Sequence, residues 1–165
     1  IVWLLILMVS AMITGSILGK YEAAIVSMPL LITFVPMLTD TGGNAGSQSS
    51  TLVIRGMALG DITLKDGGRV LLKELAVSSL VGLGLGAVNF VRLILMYPGD
   101  YLVALSVSVA LFATVLLAKT VGGLLPLVAK AMKQDPAIMA APVITTIVDA
   151  LSLIIYFTVV DFLIL

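Results

Sequence analysis

The chain has 165 residues, of which 61% are hydrophobic and only 11% are charged, and its nine basic and nine acidic side chains cancel. Soluble domains contain roughly 25% charged residues, so this composition excludes an ordinary soluble domain and indicates an integral membrane protein. The sequence has no cysteine and no histidine, which excludes thiol chemistry, soft-metal sites and a histidine proton switch. A polar site must therefore use carboxylate, amide, hydroxyl and carbonyl oxygens, which suit hard cations such as Mg²⁺, Ca²⁺ or Mn²⁺.

Five segments are apolar and long enough to be membrane spans, since a spanning helix needs ~20 mostly apolar residues. The second segment is too long for one straight span, and Pro29, Pro36 and the glycines at 42 and 43 predict that it is kinked or broken. A soluble-looking stretch at residues 56–74 separates it from the third span. We therefore predict an all-α membrane domain with spans at residues 1–19, 23–54, 75–97, 102–129 and 137–160.

Lysine and arginine side chains predict the orientation, because loops on the cytoplasmic side of a membrane carry an excess of both. The loops after the second and fourth spans are basic, whereas the loops on the other side hold only Lys20 and Arg92. We therefore expect a cytoplasmic N-terminus and an external C-terminus. The opening run has no initiator methionine and no basic residue in front of it, so we expect a cytoplasmic domain upstream in a longer protein. The basic residues of the two cytoplasmic loops are Arg55, Lys65, Arg69, Lys73, Lys130 and Lys133.

Asp149 lies in the last span, where a carboxylate at the centre of the membrane costs at least ~2.5–3.5 kcal/mol. Acids in that position commonly serve an ion path, a proton relay or a counter-ion, so a functional role is the favoured interpretation. Helical spacing puts Thr145 one turn before Asp149 and Ser152 one turn after it, which predicts a polar stripe on one face. The alternative interpretation is a structural carboxylate neutralised by a lysine.

Three polar residues from different spans are predicted to share one depth. Asp149 is twelve residues from Ala137, or ~18 Å at helical rise. Asn44 and Lys119 are each eleven residues from a basic residue at the cytoplasmic end, or ~16 Å. These depths are near the middle of a ~30 Å hydrocarbon core, where transport sites commonly lie beside interrupted helices. Lys119 could pair with Asp149, bend toward the interface or bond to the carbonyls of a broken helix, and the sequence leaves these possibilities open.

Polar side chains also recur at three- or four-residue spacing along the second half of the second span. If this half is helical, they line one stripe from mid-membrane to the cytoplasm, and Gly42, Gly43 and Gly46 let backbone carbonyls reach an ion. The alternative is a ladder of amides and hydroxyls that holds helices together. The stripe consists of Asp40, Asn44, Gln48, Thr51 and Arg55.

Four sequence motifs resemble the MgtE family of bacterial magnesium channels. They are TDTGGNAGSQSSTLVIRGMALGD at residues 39–61, GGLLPLVAK at 122–130, DPA at 135–137 and PVITTIVDALSLIIYF at 142–157. The resemblance implies a homodimeric, Mg²⁺-selective channel of the bacterial cytoplasmic (inner) membrane, with a pore on the dimer axis lined by spans two and five. It also implies that this is the isolated transmembrane domain, without the upstream cytoplasmic region that senses Mg²⁺ and closes the pore.

The same resemblance implies roles for individual residues. Asp149 resembles the central carboxylate of the ion site, Asn44 the amide beneath it, and Thr145 a pore-lining residue one turn earlier. Ala141 stands where some family members have an asparagine. We expect Asp149 to be the metal site, in a pore lined by Asp40, Gly43, Asn44, Gln48, Ala141 and Thr145.

The predicted mechanism puts the two Asp149 side chains of a homodimer across its two-fold axis, where a divalent cation offsets their repulsion. Because Mg²⁺ gives up water reluctantly, we expect a largely hydrated ion that is contacted through its waters. The alternatives are a secondary divalent-cation exchanger with alternating access and a non-conducting membrane anchor for an upstream domain. We expect no enzyme, since the sequence has no nucleophile–base set and no cofactor fingerprint. The expected partners are a second copy, membrane lipid, divalent cations and the upstream regulatory domain, with no nucleic acid.

Overall fold

The computed structural model describes residues 1–164, except the side chains of residues 2, 3 and 138–141. In this part of the chain every regular element is helical, which confirms the predicted all-α class. Two short 3₁₀ helices cover Pro29–Phe34 and Leu64–Asp66. The α-helices are α1 (Val2–Lys20), α2 (Glu22–Ser27), α3 (Val35–Leu59), α4 (Gly67–Met96), α5 (Tyr101–Ala131) and α6 (Pro136–Leu163).

Three helical stretches of the described residues are long and apolar enough to cross a membrane: Leu64–Met96, Tyr101–Ala131 and Pro142–Leu163. Helix α1 contributes a shorter apolar stretch at Leu4–Lys20. Helix α3 has 25 residues, which is long enough for a ~30 Å core, but polar side chains make it much less apolar than the others. The count of five spans and the orientation stay predictions.

Helix α5 lies at the centre of the bundle and packs against α3, α4 and α6, while α1 packs against α6. Glycines let the backbones of α3 and α5 meet. A Cβ on Gly122 of α5 would overlap the Gly46 carbonyl oxygen of α3, and a Cβ on Gly46 would lie 3.1 Å from the Ala118 carbonyl oxygen. This crossing is therefore a backbone contact that a larger side chain would prevent, as is common between membrane helices.

The break in the second predicted segment lies between α2 and α3, where Pro29 begins a 3₁₀ helix. Helix α3 then continues without interruption through the glycine-rich motif to Leu59. The prediction that the glycines at 42 and 43 loosen this segment is wrong, because α3 packs closely against α5 and α6 there. Pro36 falls in the first turn of α3, where its missing N–H removes no helical hydrogen bond. The hydroxyl of fully buried Tyr156 donates a 2.9 Å hydrogen bond to the Leu31 carbonyl oxygen, which satisfies an acceptor in the break.

The soluble-looking stretch at residues 56–74 is largely ordered into caps and helix. Gly60 ends α3 in the left-handed conformation, with φ 82°, which favours glycine. The Thr63 backbone N–H and hydroxyl both donate to Asp66 Oδ2 at 2.7 Å, and the Thr63 side chain accepts from the Asp66 backbone N–H, which completes a capping box. Helix α4 begins at Gly67, before the predicted span at 75–97, and Glu74 is buried within it. The expectation of a soluble-looking environment is therefore wrong for Glu74.

The main hydrophobic cluster lies at the end of the bundle where α5 begins and α6 ends. There the rings of Tyr21 and Phe157 stack with their centroids 4.5 Å apart, which fixes the turn between α1 and α2. A smaller cluster of Ala118, Ile144 and Val148 lies beside the glycine contact of α3 and α5. The polar residues of α3 and α6 are thus held on helices whose other faces are closely packed.

Candidate ion site

Helices α3 and α6 run antiparallel side by side, and two glycine contacts fix their register. A Cβ on Gly42 would lie 2.6 Å from Val148 Cγ1, and a Cβ on Gly46 would lie 2.7 Å from Ile144 Cγ2. One turn forward along α3 therefore corresponds to one turn back along α6. A larger side chain at either glycine would have to displace the facing side chain of α6.

This register brings the predicted site residues of the two helices together. Asp40 comes to the level of Asp149, and their charges are close enough to interact. A Cβ on Gly43 would lie 3.8 Å from Thr145 Cγ2, which puts Asn44 at the level of Thr145. Gly42 and Gly46 face the packed interior instead, so the expectation that all three glycines open their carbonyls to an ion is wrong for those two.

Asp149 is half-buried and lines an open groove of about 640 Å³ between α1 and α6. Pro142 and Thr145 line the groove from α6, and Ser10 and Thr14 line it from α1. The sequence analysis missed the two α1 residues, although their four-residue spacing in an apolar helix was an available signal. Among residues 1–164 no basic side chain forms a salt bridge with Asp149.

The polar stripe predicted on the second span is a continuous face of α3, opposite the glycines that contact α5 and α6. Asn44, Ser47, Gln48 and Thr51 line a second open groove along it, also of about 640 Å³. The amides of Asn44 and Gln48 are exposed, so within one protomer they do not join helices to each other. We call this surface the polar face; it consists of Asp40, Asn44, Gln48, Thr51 and Arg55.

Lys119 pairs with Glu74, a partner that the sequence analysis did not consider. Its Nζ lies 3.5 Å from Glu74 Oε2 and donates a 2.8 Å hydrogen bond to Ser49 Oγ. The Ser49 hydroxyl in turn donates a 2.6 Å hydrogen bond to Glu74 Oε2. Both charged side chains are only 7% exposed, and Gly123 makes room for Glu74, whose Cγ would lie 2.7 Å from a Cβ there. This network joins α3, α4 and α5, and it leaves Asp149 without an ammonium partner.

The geometry therefore supports a cation site with few protein ligands per chain. The described side chains include no group of three or more histidines, cysteines, aspartates or glutamates able to hold a metal ion. Asp149 and Asp40 supply negative charge, while Asn44 and Thr145 supply neutral oxygens at an adjacent level. The side chain of Ala141, the remaining predicted pore residue, lies outside the described residues. Such a sparse set suits an ion that keeps most of its water.

The fold and the site define an α-helical membrane protein with a carboxylate and a row of polar side chains on one side of a closely packed bundle. Residues 35–159 match the sequence profile of the MgtE family, described as a divalent cation transporter. The chain is 39% identical over 157 residues to the magnesium transporter MgtE of Thermus thermophilus. It is 34% identical over 155 residues to that of Bacillus subtilis and 30% identical over 160 residues to that of Enterococcus faecalis.

These alignments cover 95%, 94% and 95% of this chain, respectively, and 34% of each relative. The chain therefore spans about a third of the length of the curated relatives that it matches. It belongs to the MgtE family.

Proposed function

We propose that this chain forms the pore of a channel that conducts Mg²⁺ across the bacterial cytoplasmic membrane. The observation that carries the proposal is the state of Asp149, which is half-buried in an apolar helix without a basic partner among the described residues. Lys119, the one basic residue buried in a neighbouring helix, is already held by Glu74. An ionised carboxylate at this position needs a positive charge nearby, and a passing divalent cation supplies it.

The polar face of α3 supports a homodimer as the conducting unit. Lipid tails offer no hydrogen bonds, so a row of charged, amide and hydroxyl groups on a spanning helix must meet water or another protein surface. The opposite face of α3 is occupied by α5 and α6. We propose that two copies meet about a two-fold axis, so that both polar faces and both Asp149 carboxylates line one water-filled path.

In this path Mg²⁺ is the transported ion and keeps most of its hydration shell. Asp149 binds the hydrated ion through water, and Asp40 adds negative charge at the same level. Asn44, Thr145 and the backbone at Gly43 line the path one turn toward the cytoplasm, followed by Gln48 and Ala141. We also propose that Mg²⁺-dependent regulation belongs to an upstream cytoplasmic region, as the family resemblance implies.

The test is Mg²⁺ flux into liposomes that contain the parent chain, Asp149→Asn or Asp149→Ala. We expect both variants to lose at least about tenfold in flux, because the carboxylate proposed to bind the hydrated ion is gone. Asp161→Asn is a matched control, since Asp161 lies on the same helix but is exposed near its end. If both Asp149 variants conduct like the parent, the proposed ion site is wrong.

A secondary exchanger is the second candidate, favoured by the helix break between α2 and α3, because broken helices are common in alternating-access transporters. Single-channel recording in planar bilayers separates the two. Discrete openings under a Mg²⁺ gradient alone indicate a channel, whereas flux that strictly requires a counter-ion gradient indicates an exchanger. A parent chain that passes no ion in either assay would indicate a membrane anchor.

A further inference from the structure

A groove with three basic side chains lies where α3 ends and α4 begins, and it shares Arg55 with the end of the polar face. Its volume is about 430 Å³. Arg55 lines it from α3, and Arg69 and Lys73, four residues apart on α4, line it from the other side. All three side chains are exposed, so two helices present three cations to one space that is open to the outside of the bundle.

The acidic residues of this groove offset its positive charge only in part. Asp61 and Asp66 also line it, so three basic and two acidic groups leave a formal charge of +1. Asp66 is engaged at the start of α4 by two 2.7 Å hydrogen bonds from Thr63. In residues 1–164 the salt bridge present is Lys119–Glu74, so none of the three groove cations forms a salt bridge, although Arg69 is close enough to Asp66 for their charges to interact.

Apolar side chains surround these cations. Leu52 and Leu59 line the groove from α3, and they are 60% and 66% exposed. Ile62 and Val70 line its inner wall. Exposed leucines beside exposed arginines at the end of a membrane-length helix match a ligand that has an anionic head and an apolar tail. A small water-soluble anion would make no use of the leucines.

We propose that this groove binds an anionic phospholipid, with Arg55, Arg69 and Lys73 holding the headgroup phosphate and Leu52 and Leu59 contacting an acyl chain. Arginine suits this role because its guanidinium donates two parallel hydrogen bonds to phosphate. Basic pockets between membrane helices on the cytoplasmic side are known to bind anionic headgroups, and α3 ends on the predicted cytoplasmic side. The groove shares Arg55 with the proposed ion path, but its test measures lipid binding rather than flux, so failure of one proposal is distinguishable from failure of the other.

The test is equilibrium binding of fluorescent phosphatidylglycerol to the chain in zwitterionic detergent micelles, with phosphatidylcholine as the reference lipid. We expect Arg55→Gln/Arg69→Gln/Lys73→Gln to weaken phosphatidylglycerol binding at least about tenfold, since each cation near a membrane contributes roughly fivefold. The control Lys20→Gln/Lys130→Gln/Lys133→Gln removes the same number of exposed charges outside the groove. Equal loss in both variants, or equal binding of both lipids by the parent, overturns the proposal.

Two further sets of measurements identify the ligand and test whether the loss of binding comes from misfolding. Leu52→Ser/Leu59→Ser is expected to weaken lipid binding severalfold, and millimolar inorganic phosphate is expected to compete poorly. Full competition by phosphate together with unchanged binding by the serine variant would indicate that the groove binds free phosphate, and it would contradict the proposed phospholipid ligand. Single variants Arg55→Gln and Lys73→Gln, one on each helix, change the surface less. If neither weakens binding, the groove is not the lipid site.

Discussion

Two acids in the helical bundle, Glu74 and Asp149, differ in whether a basic side chain among the described residues pairs with them. Glu74 is buried against Lys119 and Ser49, which satisfy its charge inside the protomer. Asp149 is half-buried beside a groove and has no basic partner among the described residues. An acidic residue in a membrane helix is therefore not by itself evidence of an ion site. Our proposal treats Asp149 as an ion site because none of the described basic side chains neutralises it.

The two acids also lie beside opposite faces of α3. Through Ser49, the Glu74 network holds the packed face of α3, while Asp149 lies beside the polar face that includes Asp40 and Asn44. A buried ion pair is seldom more stabilising than well-packed apolar side chains, so its value here is to specify how α3 sits against α4 and α5. The predictions below test this division of roles.

The largest effect is expected for Glu74→Gln. The substitution keeps the shape of the side chain but leaves the Lys119 ammonium buried without a counter-charge, and breaking such a pair costs about 3–5 kcal/mol. The measurement is the free energy of unfolding in detergent, followed by helical circular dichroism. A stability equal to that of the parent would show that the Glu74–Lys119 ion pair does not contribute to the free energy of unfolding.

The matched control for that prediction removes both charges. Glu74→Leu with Lys119→Met leaves no orphaned ion, so we expect it to recover most of the stability that Glu74→Gln loses. Ser49 then loses both of its partners, which predicts looser fixation of α3. A double variant less stable than Glu74→Gln would contradict the assignment of the loss to an unpaired Lys119.

The next largest effect is expected at the backbone contact between Gly46 of α3 and Gly122 of α5. A Cβ on Gly122 would overlap the Gly46 carbonyl oxygen, so Gly122→Ala must separate α3 from α5. Overpacking of this kind costs about 1–3 kcal/mol. Gly84→Ala is the matched control, because a Cβ there meets no atom within 4 Å, and alanine favours the helix by up to ~1 kcal/mol. Equal unfolding free energies for the two variants would contradict the contact.

A smaller effect is expected where the helix break meets α6. Tyr156→Phe removes the hydroxyl that donates to the Leu31 carbonyl oxygen in a fully buried site, and such a hydrogen bond contributes about 1 kcal/mol. Tyr101→Phe is the control, since Tyr101 is 60% exposed and should tolerate the change. The same denaturation assay checks both. A Tyr156→Phe variant as stable as Tyr101→Phe would mean that the broken segment is held by apolar packing alone.

The sequence was sufficient to predict the helical class, and the predicted residues of the candidate site stay a prediction. Apolar length identified the helices, and three- and four-residue spacing identified the polar face of α3, because both patterns follow from the geometry of a single helix. Asp149 was identified because a carboxylate in an apolar membrane segment is unfavourable in free energy. These inferences need no knowledge of which helix lies beside which.

The features that escaped prediction all depend on contacts between helices. Glu74 follows a run of charges, which made it resemble a loop residue, and only the packing of α4 against α5 brings it to Lys119. The glycines at 42 and 43 have low helix propensity, which predicted a loosened segment, but α3 continues through both, and Gly42 packs closely against α5 and α6. Ser10 and Thr14 join the site because α1 packs against α6.

The smallest effect on stability is expected for Asp149→Asn, and this completes the comparison of the two acids. Asp149 is half-buried and forms no salt bridge with a described basic side chain, so its removal leaves no buried cation unpaired. Replacing its charge by an amide should therefore change the free energy of unfolding by no more than about 0.5 kcal/mol. The same variant is expected to lose ion flux, whereas Glu74→Gln loses stability. A loss of stability in Asp149→Asn comparable to that of Glu74→Gln would mean that Asp149 has a structural partner, and the distinction between the two acids would fail.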